Sequence, residues 1–129
     1  MSRIVLIGIM ALAVWACSPA RETAKSSALL RPDSTDTTEY DIVIIDPYFD
    51  QWYLLNYSEP KDRPNEYYRH MNTLAAASWN DYYRSAKHTN VIDAEVNYHP
   101  ETDYGIDVNR KLYWYFRFVE NKYRIRLFR

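Results

Sequence analysis

A chain of 129 residues with net charge −1, 16 % aromatics and a single cysteine is long enough for one domain and too evenly charged to carry a nucleic-acid stripe. Its two glycines, Gly8 and Gly105, exclude Gly-rich phosphate loops, the dinucleotide fingerprint and the GxSxG nucleophile elbow. HExxH and paired CxxC motifs are absent too, so the residues point to no cofactor and no metal centre.

The chain begins MSRIVLIGIMALAVWACSPA. Arg3 precedes an apolar run over 4–15. That run suits a secretory leader and falls short of the ~20 residues needed to cross a bilayer. Val14-Trp15-Ala16-Cys17 resembles the lipobox of a bacterial lipoprotein leader, with Trp15 where a small residue is usual. The resemblance implies a signal peptide over 1–16, cleavage before Cys17, a diacylglycerol on its thiol, and attachment to a membrane through that residue. Each buried methylene contributes about 0.8 kcal/mol, so two or three acyl chains hold far better than one. The alternatives are a plain secretory peptide cut after Ala16 or Ala20, or an uncleaved anchor. With Cys17 acylated, the mature chain has no internal disulfide and stands on its core alone.

Residues 17–39 are rich in Ser, Thr, Ala, Asp and Lys and show no apolar period. They read as the lipidated cysteine and a solvated tether, with Leu29 and Leu30 able to dock on the domain. A single domain then runs over 40–129. The run over 40–46 predicts a central strand buried on both faces, because four consecutive β-friendly apolar residues follow Asp41. Asp46-Pro47 is a helix-start signal. A short helix over 47–55 places Phe49, Trp52 and Tyr53 on one face. A loop over 58–64 leads to the longest helical pattern, 64–87, whose stripe is Tyr68, Met71, Ala75, Trp79, Tyr82 and Ala86. Residues 91–98 alternate, with Ile92, Ala94, Val96 and Tyr98 on the dry side, and predict a strand. After a turn over 99–105, Asp107 caps a helix to 123 with Val108, Leu112, Tyr115, Val119 and Lys122 or Tyr123 inward. A strand over 112–118 competes, since aromatics favour sheets; the continuing period favours helix. Residues 124–129 alternate and predict a closing edge strand guarded by Arg124 and Arg126. The sum is βααβαβ, an α+β two-layer domain in which two long helices and one short helix cover a three-stranded sheet.

Several stretches carry a family likeness: 45–52 (IDPYFDQW), 78–80 (SWN), 98–109 (YHPETDYGIDVN) and 111–116 (KLYWYF). The chain resembles a family of small uncharacterised lipoproteins of Bacteroidota, over most of 40–127 plus the leader. The resemblance implies one compact envelope domain at the outer membrane, on its periplasmic or surface side. It transfers no catalytic residues.

Four carboxylates could meet. Asp46 and Asp50 flank one helix start, and Asp103 and Asp107 flank another. If both starts lie at one end of the sheet, a carboxylate pair could divide acid and base roles; otherwise they are caps and first-turn acids. Asp93, Glu95 and Asn97 share a strand face with His99 beyond, as oxygen ligands would, yet alternating acids are the ordinary wet side of a strand. His70, His88 and His99 form no i, i+4 pair, and His88 suits a helix C-terminus. Ser58, Ser78 and Ser85 lie in no nucleophile motif. Tyr67, Tyr83, Tyr113 and Trp114 exceed what one stripe per helix can bury. They mark either a contact surface or burial on a second side. The reading that follows is a lipid-anchored, non-enzymatic envelope protein binding another protein through aromatics. Its rivals are a glycan- or peptidoglycan-binding module and, less favoured, a carboxylate-dependent hydrolase.

Overall fold

The computed structural model describes residues 26–33 and 39–129; the leader and Cys17 lie outside the described residues. The elements are β1 (Ser27–Pro32), β2 (Tyr40–Ile45), α1 (Phe49–Asn56), a 3-10 turn (Glu59–Lys61), α2 (Asn65–Arg84) and α3 (Ile106–Tyr123). α3 is the element on which the others pack: α1, α2 and β2 all touch it. Of its predicted stripe, Val108, Leu112, Tyr115 and Val119 are buried, Tyr123 is half-buried and Lys122 exposed; Tyr113, Phe116 and Phe118 are buried too. A helix buried on more than one side needs apolar residues beyond a single stripe. The aromatic run over 112–118 is thus helical, against the competing strand.

Gly105 holds the start of α3 at φ +83°, a backbone region that costs a residue with a Cβ. The Asp103 carboxylate accepts the Gly105 N–H at 3.2 Å and steadies that turn. α1 and α3 run head to tail. Tyr48 meets Lys122 at one end, while Tyr57 meets Trp114 and Arg110 at the other. Phe49 is buried against Tyr115 and Phe118. On α2, Tyr68, Ala75, Trp79 and Tyr82 face the core as their spacing predicts. Ala86 does not, because the helix ends at Arg84 and Ala86 turns to φ 54°.

The predicted three-stranded βααβαβ sheet is not formed. The described residues hold one two-stranded antiparallel sheet, β1 with β2, and three helices. β2 is therefore not a central strand; Ile42 is buried but Ile45 is exposed. Its partner, β1, comes from the stretch read as tether. Register explains why that stretch can pair. Ala28, Leu30, Ile42 and Ile44 point inward, while Leu29 pairs outward with Val43 and Ser27 with Ile45.

The other two predicted strands form no ladder; 124–129 keeps its predicted alternation, while in 91–98 Val91 is buried and Ala94 exposed, the reverse of the expected sides. In 91–98, Val91, Ile92 and Val96 are buried; Ser26 makes one isolated bridge to Ile92, and α2 side chains bond Ala94 and Val96. Asn80 both accepts the Val96 N–H at 2.8 Å and donates to its carbonyl at 2.9 Å. Trp79 donates its indole N–H to the Ala94 carbonyl at 2.7 Å. In 124–129, Ile125 and Leu127 are buried. The Glu120 carboxylate accepts the N–H groups of Leu127 and Phe128 at 2.9 and 3.1 Å, and Tyr82 donates to the Arg126 carbonyl at 2.8 Å. Backbone groups need partners, and side chains satisfy them as well as a neighbouring strand does. No helix among the described residues is long and apolar enough to cross a membrane.

Candidate functional site

The four carboxylates do not converge. Asp46 is buried at the C-terminal end of α3; it accepts the Tyr123 hydroxyl at 2.6 Å and the Tyr48 N–H at 2.9 Å. Asp103 and Asp107 stand at the opposite end of that helix, some 16 residues or about 24 Å away along its axis. There they line a shallow hollow of about 440 Å³ with Glu39 and Tyr40. Asp50 is exposed in the first turn of α1, and Asp107 pairs with Arg110 at 2.8 Å. A carboxylate pair spanning these helix starts would be several times too wide for glycoside chemistry. Glu95 pairs with Arg84 at 3.1 Å and His99 faces Glu101 at 3.7 Å. Among the described residues no three His, Cys, Asp or Glu side chains gather as a metal site would require. His88 lies past the end of α2, its ring edge-on to Tyr82 at 4.8 Å.

The aromatics do converge. Trp114 is half-buried among Trp52, Tyr53, Tyr57 and Tyr113, with ring centres 5.7–6.4 Å away. Tyr113 is buried with its ring tilted against Tyr68 at 5.2 Å, while Tyr67 covers it from the rim at 5.7 Å. Tyr83 is exposed on α2 and makes no ring contact with this group. Three of the four aromatics singled out by sequence therefore form one cluster between α1, α2 and α3, and the α1 face supplies the rest. The indole N–H of Trp114 is buried. It approaches the Tyr68 hydroxyl without completing a hydrogen bond.

Beneath this cluster sits an ion pair that sequence reading missed. Arg110 grips Asp62 with two parallel bonds, Nε to Oδ1 and Nη2 to Oδ2, both 2.9 Å. Asp62 also accepts the Tyr68 hydroxyl at 2.5 Å and the Arg63 N–H at 2.9 Å. The Arg110 hydrogen bonds, then that of Tyr68, hold the Asp62 carboxyl well below the usual carboxylate range; Arg110 is raised in turn by Asp62. A carboxyl held ionised in this way is a poor proton donor near neutral pH. Only the tertiary fold brings 62 and 110 together, so local spacing carried no signal.

A cleft of about 350 Å³ opens beside the cluster. Trp52 and Trp114 form its apolar wall; Asn56, Lys61, Arg117 and Asn121 form its polar rim. Lys61 donates to the Asn56 carbonyl at 2.8 Å and Asn56 to the Trp52 carbonyl at 2.7 Å, which ties the 3-10 turn to α1. Two exposed leucines lie on the helix that supplies Trp52: Leu54 is 80 % and Leu55 77 % exposed.

The buried phenols have a measurable consequence. Tyr53, Tyr98 and Tyr113 are each pushed up to about 12, chiefly by burial, against about 10 for a free phenol. The folded state then binds more protons than the unfolded one as pH rises above 10, so stability falls over that interval. Tyrosinate absorbance of these residues should appear near pH 12 in the native protein. Full tyrosinate signal by pH 10.5, with native circular dichroism retained, would contradict such burial.

The described residues thus form a small helical domain with a two-stranded ribbon and an aromatic-walled cleft. A family model described as a family of unknown function (DUF6146) matches residues 4–129, so the chain belongs to that family. No curated protein matches it, and neither does any solved structure.

Proposed function

We propose that this chain is a lipid-anchored, non-enzymatic protein of the bacterial envelope. In this reading Cys17 carries the anchor at the outer membrane, and the α1–α3 cleft receives a side chain of a partner protein. The leader and its lipobox likeness support the anchor. One observation favours a protein partner over a glycan: Leu54 and Leu55 stand exposed on α1, the helix that supplies Trp52 to the cleft wall. Aliphatic side chains of that size gain by meeting apolar protein surface, and Trp and Arg are the residues that dominate such contacts. The tryptophan wall with its amide rim would also suit a sugar, so the test separates the two.

A photocrosslinking residue at Leu55, in cells, should yield one defined protein adduct, absent when the same residue replaces exposed Glu101. Adding Trp52→Ala should cut that adduct at least tenfold, since interface hot spots contribute about 2 kcal/mol or more. Equal, diffuse labelling from both positions would sink the partner site. Binding of the protein to purified cell wall, lost in Trp114→Ala, would favour the glycan module. The anchor is read separately: metabolic palmitate should label the wild-type chain and not Cys17→Ala.

A further inference from the structure

The domain begins much nearer its anchor than the composition of 17–39 suggests. Ser26 is fully buried. Its hydroxyl bonds that of Tyr115 at 2.7 Å, and its N–H donates to the Val91 carbonyl at 3.2 Å. β1 follows at once. Nine peptide steps separate Cys17 from Ser26, which reach about 30 Å even at full extension. A hundred-residue domain has a radius of gyration of about 13 Å. A chain anchored at Cys17 therefore cannot carry the domain more than about one domain diameter from the lipid surface.

The ribbon decides which end is nearest. Ser27 pairs with Ile45, so the chain enters beside the end of β2 and the turn that leads into α1. Exposed apolar side chains sit there: Ile45 at 51 % and Tyr48 at 57 %, with Leu29 on the same outward face of the ribbon. Lys122 at the end of α3 lays its Nζ 3.2 Å from the centre of the Tyr48 ring, and Arg124 follows it. Asp46 at this end is buried under Tyr123, and Asp50 is the exposed acid nearby in sequence. Tyrosine and a long-stemmed cation are the pair that suits the headgroup layer, with the ring at the apolar boundary and the ammonium among phosphates.

We propose that this end of the domain, Leu29, Ile45, Tyr48 and Lys122, rests on the lipid surface. The proposal rests on acylation of Cys17, which raises the local concentration of lipid enough for a weak face to engage. The experiment uses the full acylated chain on vesicles of phosphatidylethanolamine and phosphatidylglycerol. Nitroxide is placed at Ile45→Cys, Tyr48→Cys or, as comparison, Glu101→Cys. The label at Ile45 and Tyr48 should be several-fold less accessible to a water-soluble nickel chelate, and more accessible to oxygen, than at Glu101. Flotation of the same samples reports the anchor itself. Protein that floats with all three labels equally water-exposed overturns the placement and leaves the anchor standing. Protein that does not float overturns the anchor, and the placement with it.

Discussion

Asp62→Ala should lower folding stability by about 2–3 kcal/mol, the range for charge-assisted hydrogen bonds that leave a half-buried partner behind. Asp62 keeps 30 % of its side-chain surface and Arg110 17 %, so solvent screens part of the interaction and the upper end is not expected. The loss comes from what is stranded. Arg110 would keep Asp107 at the exposed rim and the face of Tyr57, and the Tyr68 hydroxyl would lose its acceptor. Denaturant midpoints of Asp62→Ala, Arg110→Met and the double variant would measure the pair, which should couple by more than about 1 kcal/mol. Additive single effects would show that the two residues act apart.

The same residue sets an acid limb. Its folded carboxyl titrates below the unfolded value of about 3.9. The stabilisation it provides is complete above that value. It is lost as pH falls through the lower folded one, because the unfolded chain takes up the proton first. Asp62→Asn should be less stable than wild type at neutral pH and should close on it as pH falls below about 4. A constant gap down to the acid transition would refute the assignment.

Trp79→Ala should cost about 3–5 kcal/mol, a large share of the 5–15 kcal/mol that holds a typical domain together. Trp79 is fully buried, packs against Tyr115 and Phe116, and holds the 91–98 segment through Ala94. Trp79→Phe keeps most of the volume and drops the bond to Ala94. It should cost less, near the 1–2 kcal/mol of one lost buried bond with some packing. In both variants amide exchange should rise in 91–98 before it rises in α3, since α2 side chains rather than a ladder hold most of that segment. Uniform exchange across the two regions would show that the segment does not depend on α2 side chains.

The helices were legible because their period is internal. Tyr68, Ala75, Trp79 and Tyr82 on α2, and Val108, Leu112, Tyr115 and Val119 on α3, declare a buried face at 3.6-residue spacing whatever lies opposite. The site was partly legible. Tyr113 and Trp114 exceeded one stripe, but whether surplus aromatics lie buried or exposed depends on the neighbouring helix. α1 provides it, with Trp52, Tyr53 and Tyr57 meeting Trp114.

By itself, then, the sequence determined the three helices, the inward residues of β2, and the dry and wet sides of 124–129; in 91–98 it placed Ile92 and Val96 inward but not Val91. These follow from local period and composition. Only the tertiary structure decided where the extended segments send their backbone bonds. Ser27–Pro32 pairs with β2, while Asn80, Trp79, Tyr82 and Glu120 serve the other two segments. Alternation reports which side of an extended chain is buried; it says nothing about the partner of the N–H and C=O groups along its edge, and that partner is what makes a segment a strand.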